Sequence, residues 1–497
     1  MSTSRLAAFG FIALLLTAAH LVAAPSASLA YFATVGLHPL LGLVLVGALV
    51  REAWRRRLRH SVPAAAGVGL LAAGLALGLA VAAVGATRDH AWLLQIHVAV
   101  SAAGAILWGV HLWRAIEWTP GWTRAVRIGL VVSAATGLSA PLLRAARDAE
   151  WRETHRIENP VRPPATMDEE GDGASSPFAP SSATTNTGDT IPADFFLTSE
   201  TCGRCHADIY EQWNGSAHHF SSFNNQWYRR SIEYMQEVVG TRPSKWCAGC
   251  HDHAVFFNGR FDTPIVDQID TAEAQAGLGC TSCHSIVHVG STMGQGDFTI
   301  EYPPLHDLAA SEHPLLRSVH DLLLRLAPTP HRDTFMKPFH QEQSAEFCSS
   351  CHKVHLDLPV NDYRWVRGFN EYDNWQASGV SGQGARSFYY PETPQTCSSC
   401  HMPLVRSDDP AARDGYVRSH RFPGANTALP FVNRDQAQLE AVQDFLRAGQ
   451  VSIDVFGITR VADAAPPAAA VLPGGEPALS STFAVGEESL QFGAARR

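Results

Sequence analysis

All ten cysteines of this 497-residue chain fall into one repeated pattern, Cys-x-x-Cys-His, with none left over. The copies are Cys202, Cys205 and His206; Cys247, Cys250 and His251; Cys280, Cys283 and His284; Cys348, Cys351 and His352; and Cys397, Cys400 and His401. On a helical turn residues i, i+3 and i+4 share one face, so each copy presents two thiols and an imidazole together. Two thiols so placed can form thioethers to a porphyrin edge while the imidazole reaches the iron. Paired Cys-x-x-Cys motifs also hold zinc. A zinc site, however, gives no reason for histidine to follow the second cysteine in all five copies, and a disulfide framework would not repeat one spacing. The expected cofactors are five covalent c-type haems, with His206, His251, His284, His352 and His401 as proximal iron ligands.

Each iron needs a sixth ligand unless it does chemistry, and twelve histidines from His155 onward lie outside the motifs. The expected distal ligands are His253, His288 and His355, which follow proximal histidines closely, together with His218 in Tyr210-x-x-Trp213-x-x-Ser216-x-His218-His219 and His420 in Ser419-His420-Arg421-Phe422. A histidine close in sequence to a proximal one scarcely reaches the opposite face of the same porphyrin, so it is expected to serve a neighbouring haem. His306, His313, His320, His331 and His340 stand in reserve.

The first motif with Tyr210, Trp213, Ser216 and His218, and the later Cys397-Ser-Ser-Cys400-His401-Met402-Pro403, resemble the cytochrome c-552/4 family over roughly residues 197–425. The resemblance implies electron transfer through closely stacked, mostly bis-histidine haems. Two departures limit it: there is no Cys-x-x-Cys-Lys motif, as in pentahaem nitrite reductases, and the eight motifs of hydroxylamine oxidoreductase are not reached.

The elements that must hold these residues fall into two halves. No Lys, Arg, Asp or Glu occurs between Arg5 and Arg51, and two further uncharged windows run over residues 61–87 and 91–113. Each exceeds the ~20 residues that cross a bilayer core. The expected spans are 6–24, 31–50, 64–86, 91–113 and 126–143, with the first open to a second reading as a signal peptide because small residues follow it. Arg51, Arg55, Arg56, Arg57 and Arg59 after the second span, and Arg114, Arg124 and Arg127 after the fourth, assign those loops to the cytoplasm. Everything beyond about residue 145 is then outside, which predicts a multi-pass protein of the bacterial inner membrane with a periplasmic haem c domain.

Histidine inside a span is a functional hypothesis by default. His38 and His97 fall at similar depth on antiparallel spans, near the outer surface. This resembles membrane b-type cytochromes, where imidazoles from two helices clamp one haem, and implies a haem b on His38 and His97. His111 lacks a counterpart, because the position 14 residues after His38 is Glu52. His20 is a competing ligand, and the bland alternative is an anchor whose histidines bond between helices.

Residues 158–193, rich in Pro, Ser, Thr, Gly and Asp, read as a flexible linker. The haem c domain is expected over 194–430, built of sparse helices and long loops around porphyrins that substitute for a side-chain core. A helix over 435–447 and a strand over 451–458 within a 431–461 segment, then a disordered Pro/Ala/Gly tail over 462–497, complete the chain. The fold class is therefore mainly α: a four- or five-helix transmembrane bundle plus a loop-rich multihaem domain.

Residues 1–160 carry 14 Lys and Arg against 7 Asp and Glu, whereas the remainder carries 24 against 40. So acidic an exported half argues against nucleic acid as a partner. The expected role is electron transfer between the membrane, with its quinol pool or a membrane redox complex, and periplasmic or outer-membrane cytochromes. Two alternatives remain: a reductase or oxidase of small nitrogen or sulfur compounds with one open haem flanked by Arg332, Lys337, Tyr389 or Tyr390, and a docking subunit of a larger respiratory complex.

Overall fold

The structure, a computed structural model, describes residues 3–56, 62–115, 119–303, 306–358, 360–361, 365–384 and 393–449, and two short strands at 470–471 and 477–478. Apolar stretches of this length fold as helices because every backbone polar group is then satisfied internally. They form α1 (Thr3–Ala23), α2 (Leu29–Arg56), α3 (Val62–Val84), α4 (Ala91–Ala115) and α5 (Pro120–Thr154). Four helices are long and apolar enough to cross a membrane, whereas the apolar part of α1, Ala7–Ala23, is shorter. Even so, α1 packs on both α2 and α5, and Phe11 is fully buried with Leu45, Leu49 and Trp108.

The α3–α4 pair is held by a glycine seam. A Cβ on Gly67 would lie 2.9 Å from the Trp108 backbone nitrogen, and one on Gly104 would lie 2.9 Å from that of Leu71. Hydrogen in place of a side chain lets the two backbones approach, which is how helices associate without a hydrophobic drive between them. Pro120 opens α5, whose 35 residues continue past the expected end of the span into a polar extension supported by the Arg144–Asp148 pair.

The second half is carried by short elements: α6 (Ser199–Gly203), α7 (Ala207–Asn214), α8 (Gln226–Val239), α9 (Thr241–His251), α10 (His253–Phe256), α11 (Cys280–His284), α12 (His306–Ala310), α13 (Pro314–Leu326), α14 (Pro328–Phe335), α15 (Ser344–Ser349), α16 (Glu371–Ala377), α17 (Cys397–His401) and α18 (Ala428–Val432). Helix α19 (Gln436–Arg447) follows. Strands are few. β1 (Thr184–Thr185) runs parallel to β3 (Phe298–Ile300), which is antiparallel to β2 (Ile286–Val289). β4 (Lys353–Leu356) pairs with β5 (Val366–Asn370), and β6 (Leu404–Arg406) with β7 (Tyr416–Arg418). The mainly helical, loop-rich architecture is as expected.

Two expectations are corrected. The stretch 158–193 is no tether but the wrapping of the domain core: Phe178 is 1% exposed and Ile191 4%. Glu170 accepts hydrogen bonds from Ser182 Oγ and from His355 Nε2, each at 2.7 Å, while Lys245 Nζ donates to the Pro177 carbonyl at 2.9 Å. Nor is the domain without a core of its own. Phe178, Phe195, Phe196, Phe256, Phe257, Phe261, Phe298 and Phe339 are nearly wholly buried, each contributing on the order of 1.5–3 kcal/mol of burial. Composition suggested a linker because isolated aromatics among Ser and Gly show no period, yet a few large side chains are enough to dock an irregular segment.

One end of the bundle meets this domain directly. Tyr31, Phe32 and Val35 of α2 pack against Leu323, Leu326 and Ala327, the Ala86 backbone N–H donates to the Arg325 carbonyl at 2.7 Å, and Arg152 pairs with Glu342 at 3.2 Å. Beyond Ala441 a separate small unit, Val442–Arg497, comprises the end of α19 and the antiparallel pair β8 (Ala470–Val471) and β9 (Pro477–Ala478). The strand expected at 451–458 and most of the expected tail lie outside the described residues.

Candidate functional site

Each Cys-x-x-Cys-His copy begins on or ends a short helical segment. Helices α11 and α17 consist of the motif alone, α9 ends on His251, and α6 and α15 stop within theirs. In α11 and α17 the residue between the cysteines fixes the turn: Ser282 Oγ accepts from the Gly279 N–H and Ser399 Oγ from the Thr396 N–H, both at 3.1 Å. This reciprocal capping orders the first turn, which is the part that presents the thiols.

Four of the five motif imidazoles have Nδ1 engaged by the protein. His206 Nδ1 lies 2.8 Å from Asp409 Oδ1, His251 Nδ1 2.8 Å from the Ser221 carbonyl, His284 Nδ1 2.8 Å from the Phe335 carbonyl, and His401 Nδ1 2.7 Å from the Pro423 carbonyl. An N–H donated at Nδ1 fixes the ring and leaves the Nε2 lone pair for a metal, the arrangement found behind metal-bound histidines.

Opposite three of them stands a second imidazole. His206 faces His331, with ring centres 6.3 Å apart and planes at 10°. His284 faces His420 at 6.2 Å and 27°, and His352 faces His218 at 6.1 Å and 89°. Two imidazoles on opposite sides of one metal ion should have centres about 6.3 Å apart, from metal–nitrogen bonds of ~2.0–2.1 Å and ~1.1 Å from nitrogen to ring centre. The three separations match. Burial pushes His331 and His420 down to about 4 and His218 down to about 3, the neighbouring histidines adding to the effect. All three are thus held in the neutral form that can bind iron. His218 is also buried with Nδ1 unpaired.

The motifs form one cluster, though not in sequence order. The Cys202 and Cys280 thiols hydrogen-bond each other, as do Cys250 with Cys351 and Cys348 with Cys397, so motif one neighbours motif three while motif four neighbours motifs two and five. Burial pushes the Cys247 and Cys283 thiols up to about 12, so they are uncharged and not poised as free thiolate ligands. Among the described residues no group of three or more His, Cys, Asp and Glu converges as around a metal ion. Thiol pairs beside paired imidazoles therefore fit porphyrin iron better than a compact zinc cage.

The other expected distal histidines are placed elsewhere. His253 opens α10, which turns into the phenylalanine core; its ring packs on Phe257 at 5.1 Å and its Nε2 bonds the Gly249 carbonyl at 3.0 Å. His288 is exposed on β2. His355 Nε2 is taken by Glu170 at 2.7 Å, and its ring stacks on Trp365 at 5.9 Å. The chain leaves these motifs as a core helix or a strand, and that path sets where the adjacent imidazoles lie. His331, in contrast, was only a reserve; its signal was position on a short helix between prolines, which no periodicity distinguishes. His340 lies 5.4 Å from His284, closer than two imidazoles on opposite sides of one metal ion would stand, and both its nitrogens bond the protein. His251 stacks on Tyr228 at 4.5 Å and 10°, whose hydroxyl donates to Asp252. Asp252 also accepts from Ser222, and burial raises it to about 7. Arg332 pairs with Asp333 at 2.7 Å, Lys337 Nζ donates to the Asp333 carbonyl at 2.8 Å, and Tyr389 and Tyr390 lie outside the described residues.

In the bundle His38 and His97 come together, with ring centres 6.5 Å apart and planes at 89°. Thr17 Oγ1 donates to the Leu14 carbonyl and so accepts from His38 Nδ1 at 3.0 Å. His97 Nδ1 donates to the Gly74 carbonyl at 2.8 Å, and a Cβ on Gly78 would lie 2.8 Å from His97 Cε1. Both Nε2 atoms are again left for a ligand. His20 instead lies 6.1 Å from Tyr31, and His111 5.1 Å from Trp108.

Short helical turns that offer two thiols and an imidazole, with further imidazoles opposite, are the arrangement of a c-type cytochrome domain, here beside helices apolar enough for membrane insertion. The family described as Cytochrome c554 and c-prime matches residues 201–285, the stretch spanning the first three motifs, and supports that assignment. No curated protein matches the chain, and no solved structure does.

Proposed function

We propose that this protein is a membrane-spanning, five-haem c-type cytochrome that carries electrons between the membrane and partners on its outer face. The observation that carries the reading is the set of imidazole pairs His206–His331, His284–His420 and His218–His352, at 6.1 to 6.3 Å, within one cluster of Cys-x-x-Cys-His turns. Haem c, held through the cysteines of the five motifs, supplies one-electron redox chemistry at iron. The chain's own part is to fix the rings of His206, His251, His284 and His401 through their Nδ1 bonds, to keep the distal rings neutral by burial, and to exclude water with the phenylalanine core. His38 and His97 are the residues that would hold a haem b, at the end of the bundle that faces the domain.

The bacterial inner membrane, with the domain on the periplasmic side, is the proposed location. It is supported by the arginines that follow α2 and α4 in the sequence, since the domain contacts fall at the other end of α2, at Tyr31, Phe32 and Val35. The quinol pool or a membrane redox complex is the proposed source or sink on one side, and periplasmic or outer-membrane cytochromes on the other. The test is haem type and stoichiometry on the purified protein. Five covalent haem masses by mass spectrometry, with a haem b band lost in His97→Ala, are expected; a polypeptide without them, or with zinc, refutes the reading.

A second reading, a reductase or oxidase of small nitrogen or sulfur compounds, is favoured by one observation: His251 stacks on Tyr228 rather than facing a second imidazole. High-spin iron in the oxidised protein favours it, and wholly low-spin signals favour the electron carrier.

A further inference from the structure

Helix α13 is amphipathic in the wrong sense for a soluble domain. Leu315, Leu316, Val319, Leu322, Leu323 and Leu326 recur at the spacing of one helical stripe, yet no residue of the helix is fully buried. Leu315 is 64% exposed, Leu316 42%, Val319 41% and Leu322 51%. On the polar side, Asp321 reaches Arg204, within the first motif, at 3.8 Å.

What covers the apolar side is indicated by what it adjoins. At the C-terminal end of α13, Leu323 and Leu326 pack on Tyr31, Phe32 and Val35 at the outer end of α2. The same helix α2 exposes Leu29, Leu37, Leu40 and Val44 along its length. At the same end of the bundle α4 begins with Trp92, 58% exposed, where an interfacial aromatic belongs. An amphipathic helix lying in the membrane plane, its apolar face sunk ~5–10 Å into the headgroup boundary, has this disposition.

We propose that α13 is an interfacial anchor whose outward apolar face is covered by lipid of the leaflet nearest the domain. The proposal rests on the reading of α2 to α5 as membrane spans. Its consequence is positional. Helix α14 follows α13 directly and carries His331, which faces His206, so the anchor sets how far the first motif stands from the bilayer surface. That makes the first motif the membrane-proximal one.

The test uses the full-length protein in vesicles of equal parts phosphatidylcholine and phosphatidylglycerol, with the photocrosslinker p-benzoylphenylalanine replacing Leu322, Val44 or Tyr234 in separate preparations. Val44 is 73% exposed on α2, and Tyr234 is 70% exposed on α8, which packs on α9. The expected result is a lipid adduct by mass spectrometry at Leu322 and Val44 and none at Tyr234. An adduct at Val44 but not at Leu322 overturns the anchor alone, as does a crosslink from Leu322 to a second copy of the chain. Loss of the adduct at both positions overturns the spanning reading and the anchor with it. The same preparation with the crosslinker at Val319 guards against a poorly inserted Leu322 variant.

Discussion

Replacing Asp409 by asparagine should raise the midpoint potential of one redox centre and leave the others where they are. The Asp409 side chain is wholly buried, and its Oδ1 accepts from His206 Nδ1 at 2.8 Å and from the Ala411 backbone N–H at 2.7 Å. Burial alone would lower the His206 pKa, but the hydrogen bond and charge of Asp409 outweigh it and hold it above the usual value, while Asp409 itself is held below its own. The carboxylate therefore enriches the imidazole in electrons, which favours oxidised iron on the other ring nitrogen. Asparagine keeps the size and an acceptor but removes the charge, changing a bond of ~1.5–3 kcal/mol into one of ~0.5–1.5 kcal/mol. The difference is about 1.4 kcal/mol, or a factor of ten, which for one electron corresponds to ~59 mV. Only the part of that difference that distinguishes the two oxidation states counts, so the expected shift is positive, tens of millivolts and at most about 60 mV. A potentiometric titration of the full-length protein, followed by optical and EPR spectra, reads it. A fall in potential, or no shift at any centre, refutes the view that Asp409 tunes the ligand of the first motif.

Three further outcomes follow from the same geometry. His331→Ala should convert the first-motif centre from low-spin to high-spin in the oxidised EPR spectrum, whereas His253→Ala should leave every centre unchanged; the reverse pattern would restore adjacency as the guide to distal ligands. Phe178→Ala removes a side chain 1% exposed, so it should cost ~3–5 kcal/mol and open residues 158–193 to limited proteolysis. Equal cleavage of the parent and the variant would mean that this stretch is a tether after all. His97→Ala should abolish the haem b band without changing the covalent haem count, and an unchanged band would remove His38 and His97 from the proposed site.

How much of this was legible beforehand depended on whether the signal was local. The long apolar helices could be read because sustained apolarity is written in each segment separately: the stretch expected over 64–86 corresponds to α3, Val62–Val84, and that over 91–113 to α4, Ala91–Ala115. The motif turns could be read because residues i, i+3 and i+4 of one short helix share a face whatever the rest of the chain does. The approach of His38 and His97, whose ring centres stand 6.5 Å apart, could be anticipated because position along an apolar helix is counted along the chain.

Which imidazole opposes which could not be read, since that depends on where loops carry the chain between motifs. His331 reaches His206 across 125 positions, while His253, two positions from His251, turns away into a core that the sequence did not advertise. That core is assembled from Phe178, Phe196, Phe257, Phe298 and Phe339, residues too scattered to give any period. The segment 158–193 has the composition of a linker, and only tertiary contacts such as Glu170 with His355 decide otherwise. Helix α13 shows the division most clearly: its apolar stripe is written in the sequence, but whether a stripe faces protein or lipid depends on what stands on its other side. Local covalent chemistry and one-dimensional hydropathy were set by the sequence alone; the pairing of distant side chains, being a matter of closure in three dimensions, was decided by the fold.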